Sequence, residues 1–234
     1  MILVTGAAGY IGSHICKKLQ KKGINYIAVD NLSSGCLKNI KNRKIFYKND
    51  FSSNKIFSIL KNNKIQTVIH SGAFTFPSES ETKKNKYFNN NIKKTKKFID
   101  FCKKANVKKF IFFSSSNVYK FKIKRKSVVN PENYYGYTKL YIEQYLKKKS
   151  FENLIILRLF NIAGFLRGFN FFEYKTRYRR IMPSIFSSII KNSKIYIYGK
   201  KTRRGFSYSK RDYLHIEDFV KLISILLKKN IKYK

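Results

Sequence analysis

Met1-Ile2-Leu3-Val4-Thr5-Gly6-Ala7-Ala8-Gly9-Tyr10-Ile11-Gly12 is the stretch whose reading decides the fold. Met1 to Thr5 is a short apolar, β-branched run suited to a buried parallel strand. Gly6, Gly9 and Gly12 follow at the spacing G-x-x-G-x-x-G, and a helical pattern opens at once. Strand, tight glycine turn and helix N-terminus together make a cradle for a dinucleotide pyrophosphate. The glycines let the backbone approach the phosphates, while the helix's free N–H groups and dipole favour negative charge. Taken alone, a glycine triplet also fits an ordinary strand-to-helix turn, so the rest of the chain has to decide.

Downstream, apolar β-rich runs alternate with longer polar-faced segments, the pattern of a doubly wound parallel sheet. Strands are predicted at Ile2–Thr5, Tyr26–Val29, Lys44–Tyr47, Thr67–His70, Phe110–Ser114 and Ile155–Leu159. Helices are predicted at Tyr10–Lys22, Asn54–Asn62, Thr82–Ala105 and Tyr134–Lys149. Gly23 and the Ala105-Asn106-Val107 step read as helix stops, and Pro131 marks a loop after the Lys120–Lys126 run. Past Asn161 the pattern loosens into an aromatic and basic segment (Phe165 to Arg180), a helix near Pro183–Lys191, a strand at Ile195–Tyr198 and a last helix from Glu217.

A formal charge of +39 would ordinarily point to a nucleic-acid partner. The 51 basic residues divide into 41 Lys and 10 Arg, however. Arg is preferred for bidentate phosphate and base contacts, so this balance argues against a specific nucleic-acid role. The lysines are spread in pairs over nearly every helix and loop, as solvent-facing residues are, and they accompany the Asn, Ile, Phe and Tyr of A/T-rich codons. No apolar run approaches the length of a membrane span, since Phe219 to Leu227 is interrupted by Lys221. Cys16, Cys36 and Cys102 lack metal spacing and read as reduced thiols of a cytoplasmic protein. The three histidines, His14, His70 and His215, have no acidic partners at ligand spacing, so no metal site is expected.

Asp30 follows the second strand, 18 residues after Gly12. A carboxylate there accepts both hydroxyls of an adenosine ribose and repels a 2′-phosphate, which argues for NAD over NADP. Tyr135 and Lys139 lie four apart on one helix face, where the ammonium favours the phenolate and tunes Tyr135 as a general base. The run Ser114-Ser115-Ser116-Asn117-Val118-Tyr119 brings hydroxyls to the C-terminal edge of the sheet, where open α/β folds bind ligands.

Together these segments resemble the extended short-chain dehydrogenase/reductases, and within them the UDP-glucose 4-epimerases. The likeness also runs through Asp30-Asn31-Leu32-Ser33-Ser34-Gly35, Asp50-Phe51, Val68 to Ala73, Asn90-Asn91-Ile92, Arg158-Leu159-Phe160-Asn161, Met182-Pro183 and Arg211-Asp212-Tyr213-Leu214-His215. It implies an α/β, Rossmann-like doubly wound parallel sheet with an incomplete C-terminal substrate lobe. Residues 1–160 would form the NAD-binding domain and 161–234 a partial nucleotide-sugar-binding region. Gly6, Gly9, Tyr10, Ile11, Gly12, Asp30, Asn31 and Asn91 are implied cofactor contacts, with Asp50 and Phe51 at the adenine. Tyr135 would take the proton of the sugar 4-hydroxyl while C4 gives hydride to NAD. Ser115 would hydrogen-bond the same oxygen, and Lys139 the nicotinamide ribose. Phe160, Asn161 and Arg211 would hold UDP, and a homodimer would form through the Thr82–Ala105 and Tyr134–Lys149 helices. His70 would support a turn.

The related 4,6-dehydratases need an Asp-Glu pair after the hydroxyl residue, where this chain has Ser116-Asn117. Other departures are Lys94 and Lys120 in place of glycines, Thr75 in place of a cofactor-pocket lysine, Arg180 in place of Asn, and the basic loop Lys200 to Gly205. Members of the family continue well past the position of Lys234, so the resemblance implies a C-terminally truncated form. Two readings follow: a UDP-hexose 4-epimerase, intact or impaired, and a catalytically inactive NAD-binding remnant.

Overall fold

The computed structural model describes residues 1–120, 127–169, 181–196, 199–203, 205–208 and 210–229. Six strands form one parallel sheet: β1 (Ile2–Thr5), β2 (Tyr26–Asp30), β3 (Phe46–Lys48), β4 (Thr67–His70), β5 (Lys109–Ser115) and β6 (Asn153–Leu159). Their order is β3-β2-β1-β4-β5-β6, so the chain reverses direction across the sheet between β1 and β4. A crevice opens at that switch point, beyond the carboxyl ends of the strands, and it is where such sheets bind dinucleotides. The doubly wound class read from the sequence is the observed one.

The strands alternate their side chains between two buried layers. Ile2, Val4, Ala28, Ile69, Ile111 and Phe113 face α1 (Tyr10–Lys21), while Leu3, Ile27, Val68, Phe110 and Phe112 face the opposite layer. That opposite layer holds α2 (Asn54–Asn62), α5 (Thr95–Lys104) and α6 (Tyr134–Lys147). Burial on both sides explains why the strands read as continuous apolar runs. The last helix, α8 (Ile216–Lys228), returns to the α1 side and buries Ile216, Phe219, Val220 and Ile223 in the same core. Its C-terminal carbonyls are capped by the buried Lys109 ammonium, which reaches the oxygens of Leu226, Leu227 and Lys229 at 3.2, 2.9 and 2.8 Å. A cation there complements the negative end of the helix dipole.

Two expectations need correction. The predicted helix Thr82–Ala105 starts earlier, at Pro77, where the ring presets the first helical turn. It is divided into α3 (Pro77–Thr82), α4 (Lys84–Tyr87), a π-helical stretch at Phe88–Lys94 and α5. Lys83, at ψ 47°, breaks the first junction. The predicted strand Ile195–Tyr198 is irregular at Ile195 and Tyr196, and its last two residues lie outside the described ones. The strand instead begins at Gly199, as β8 (Gly199–Thr202), and pairs antiparallel with β9 (Gly205–Tyr208). Residues 170–180 of the aromatic and basic segment, 121–126 of the lysine run, and Arg204 also lie outside the described residues. Helix α7 (Ile181–Ile190) forms where predicted and buries none of its residues.

Among the described residues, no helix is long and apolar enough to cross a membrane, and no cluster of His, Cys, Asp or Glu could hold a metal ion. Lys109 and Lys139 are the two buried lysines among them.

His70 ends β4 inside the core, its Nδ1 2.7 Å from the Thr5 hydroxyl. Burial, and then the Lys139 charge, push its pKa down to about 3 from 6.5, so the ring is neutral when folded. The unfolded chain therefore binds a proton that the folded chain refuses as pH falls from about 6.5 toward 3. Stability is lost across that window, by roughly 3 kcal/mol at pH near 4 from this group. Urea unfolding at neutral and acid pH measures the loss, and His70→Asn is expected to shrink it.

Candidate active site

Around the β1–α1 turn the backbone leaves no room for side chains. Gly6 adopts φ +63°, and a Cβ on it would lie 2.7 Å from the Ser71 carbonyl at the end of β4. A Cβ on Gly12 would lie 2.1 Å from the Gly6 oxygen. Helix α1 therefore starts hard against its own strand, and its N-terminus opens at the switch-point crevice. Gly9, its N-cap, brings no side-chain cap, and the first turn holds no acidic residue. Those N–H groups and the helix dipole suit a pyrophosphate. One strand over, Asp30 Oδ2 accepts from the Ala8 N–H at 3.0 Å, and its Oδ1 from the Leu32 N–H at 2.7 Å. Burial raises the Asp30 pKa, and the two N–H donors oppose that rise. Carboxylate, glycine loop and helix end thus fit an adenosine diphosphate at one edge of the sheet.

Asn91 sits in the π-helical stretch and is buried. Its amide accepts from the Phe74 N–H at 3.0 Å and donates to the Phe74 carbonyl at 2.9 Å and to the Thr138 hydroxyl at 3.4 Å. It ties the segment after β4 to α6. A local π-turn at a ligand crevice is a common device for aiming one such side chain.

Ser115 is the last residue of β5, and Tyr135 and Lys139 occupy the first two turns of α6. Lys139 Nζ donates to the Phe113 carbonyl at 2.8 Å and lies 5.9 Å from the centre of the Tyr135 ring. All three residues are buried. Burial brings the Lys139 pKa down to about 7, against the pull of the Glu143 carboxylate. The folded chain thus holds fewer protons at this site than the unfolded one between about pH 7 and 10.5, and gains stability as pH rises across that window.

The residues that position Ser115 were not evident in the sequence. Asn117 donates to Ser115 Oγ twice, from its backbone N–H at 3.2 Å and its amide at 3.0 Å. A serine hydroxyl has two acceptor positions and one proton, so Ser115 is left as a donor. Asn117 Oδ1 in turn accepts from Asn133, which caps α6 through the Gly136 N–H at 2.8 Å. Gly136 makes this approach possible, since a Cβ there would lie 2.2 Å from the Asn117 backbone carbonyl oxygen. The Tyr135 N–H donates to Ser80 Oγ at 2.9 Å, which ties α6 to α3.

Behind the site, the buried Glu143 is paired with the half-buried Arg158. Glu143 accepts from Arg158 Nε at 3.0 Å and from its terminal nitrogen at 2.6 Å, and also from Ser114 Oγ. Arg158 donates to the Tyr119 hydroxyl at 2.8 Å. The Glu143 contact, chiefly, raises the Arg158 pKa and keeps it charged. The pair locks α6 to β5 and β6, and so sets the depth of Tyr135.

The later part of the chain meets this edge through β7 (Asn161–Ala163), which pairs in parallel with β10 (Tyr213–His215). Asn161 donates to the Asp212 carbonyl through its N–H at 3.3 Å and its amide at 3.1 Å, which places it next to Arg211. Phe160 and Arg211 are exposed. The Tyr10 hydroxyl donates to the Gly164 carbonyl at 2.6 Å and joins the glycine loop to the end of β7.

Comparison with known proteins settles the family. The model of the NAD dependent epimerase/dehydratase family matches residues 2–233. The chain belongs to this family. It is 32% identical to the UDP-glucose 4-epimerase of Lactobacillus helveticus, covering 99% of this chain and 73% of that relative. It is 30% identical to the dTDP-D-glucose 4,6-dehydratase of Dictyostelium discoideum, covering 97% of this chain and 55% of that one. In structure it is similar to the UDP-glucose 4-epimerase of Bifidobacterium longum in complex with NAD+ and UDP, with TM-score 0.87 and 28% identity over 97% of this chain and 73% of that one. Membership in the epimerase/dehydratase family makes the chain an NAD-dependent enzyme of nucleotide-sugar type, with the doubly wound fold read from its sequence.

Arg158→Met would leave Glu143 buried without its cation. An expected cost of about 3 kcal/mol follows, read as a lowered denaturant midpoint.

Proposed function

We propose that the protein inverts C4 of a UDP-hexose, of the UDP-glucose and UDP-galactose kind, through a 4-keto intermediate. The observation that carries this reading is the convergence of Ser115, Tyr135 and Lys139 on the carboxyl edge of the sheet that also presents the glycine loop. NAD bound in the crevice supplies a hydride acceptor that later returns the hydride. Tyr135 takes the proton of the 4-hydroxyl, and the neighbouring Lys139 charge stabilises the phenolate it starts from. Ser115, left as a donor by Asn117, hydrogen-bonds the same sugar oxygen and holds it in line with Tyr135. After the keto sugar turns over in the site, Tyr135 returns the proton as the opposite face is reduced. Asn161 and Arg211 take the UDP portion, with the Arg211 guanidinium on the diphosphate.

Dehydration is the rival chemistry within the family. It needs an acid and a base beside Ser115, and Ser116-Asn117 supplies neither. Asn117 is moreover committed on both sides of its amide, to Ser115 and Asn133. The inactive-remnant reading has no comparable observation behind it, since Ser115, Tyr135 and Lys139 are all present and buried. Pairing through the 82–105 and 134–149 helices into a homodimer belongs to the same proposal.

Conversion of UDP-galactose to UDP-glucose by purified protein with NAD is the assay. Tyr135→Phe is expected to lower turnover roughly a hundredfold or more. Asn117→Ala, which frees Ser115 to turn, should lower it about tenfold with NAD affinity unchanged. Full activity in Tyr135→Phe would contradict the mechanism, and NAD binding without any conversion would favour the inactive remnant.

A further inference from the structure

With adenine read beside Asp50 and Phe51, a placement on which this inference rests, the groups already on the Asp50 carboxylate decide which base fits. Oδ1 accepts from the Ser52 N–H at 3.0 Å and the Ser52 hydroxyl at 2.7 Å. Oδ2 accepts from the Lys94 ammonium at 2.6 Å and the Asn31 amide at 3.4 Å. A carboxylate offers about four acceptor positions. The protein's own donors therefore occupy all of them. Burial works to raise the Asp50 pKa, but Lys94 and Ser52 together hold it below the ordinary carboxylate range.

The exocyclic group of adenine is an amine, which only donates, whereas a 6-oxo purine presents a carbonyl oxygen, which only accepts. For an adenine amine to use Asp50, it must displace Asn31 or Lys94. Lys94 has the opposite property. Its ammonium carries three donors, of which Asp50 takes one. The Lys94 side chain is 41% exposed and that of Asp50 25%, so the pair is open to solvent and not sealed in the core. Its backbone is fixed, because Lys94 ends the π-helical stretch that Asn91 ties to Phe74. A glycine in place of Lys94 would leave Oδ2 with only the long Asn31 contact.

We infer that Lys94 determines cofactor-base specificity: it turns a site selective for a 6-amino purine into one that also accepts a 6-oxo purine dinucleotide. Calorimetric titration of the full chain with NAD and with nicotinamide hypoxanthine dinucleotide tests this. The unaltered protein is expected to bind the two within about threefold of each other. Lys94→Gly and Lys94→Ala, each checked for an unchanged folded spectrum, should prefer NAD about tenfold or more, because Asp50 then meets the amine and rejects the carbonyl. A strong preference for NAD in the unaltered protein, with the same ratio in both variants, would overturn the role of Lys94. Asp50→Ala separates the other failure. If it leaves both affinities unchanged, the base lies elsewhere, and the adenine placement falls along with the inference built on it.

Discussion

The close approach of Gly12 to Gly6 is the constraint on which the rest of the molecule depends. No side chain fits between the end of β1 and the first turn of α1, and Gly6 meets Ser71 of the neighbouring strand end almost as tightly. The backbone can turn so sharply only with glycine at φ +63°. As a result α1 begins within the crevice between β1 and β4, and its uncapped N–H groups point where phosphates can sit. Strand order and glycine loop are therefore one feature seen at two scales.

Ser115, Tyr135 and Lys139, the residues proposed to handle the proton, lie on the other side of the same edge and are buried. Lys139 donates to the Phe113 carbonyl inside the protein, and its burial brings its pKa near neutrality. One turn further along α6, the buried Glu143 pairs with the half-buried Arg158 of β6, and hydrogen bonds to Ser114 and Tyr119 complete the pair's coordination. Such pairs add little net stability, but they fix geometry, because losing either member strands the other. Here the geometry fixed is that of Tyr135 relative to Ser115. The Tyr10–Gly164 hydrogen bond then links the glycine loop to β7 and, through its pairing with β10, to Asn161 and the Arg211 segment.

Much of this was legible in the amino-acid sequence, for identifiable reasons. Strands β1 and β4 and helix α2 fall on their predicted residues, because two-sided burial makes each strand a continuous apolar run and α2 a strongly one-sided helix. Asp30 and the Tyr135–Lys139 pair stood out through spacing alone. What escaped was non-local or short. Asn117 and Asn133 look like loop residues until the fold brings them together, and Glu143 meets Ser114 and Arg158 only through the sheet. β7 and β10 have three residues each, too few to show a period. Lys94 stood out only as a lysine in place of a glycine, and nothing in its spacing pointed to its partner Asp50, 44 positions away. The segment 77–104 read as one helix from a later start, because neither the break at Lys83 nor the π-turn leaves a mark on apolar spacing.

The account's central claim is that one sheet edge holds NAD on the glycine loop and presents a sugar to Tyr135. It is tested most directly by adding UDP-glucose to the purified protein loaded with NAD and recording the absorbance band of reduced nicotinamide. The account predicts that the band appears in the unaltered protein and is absent from Gly12→Val, whose side chain would occupy the space against Gly6. No band in a protein that demonstrably holds NAD, or an equal band in the Gly12 variant, would contradict it.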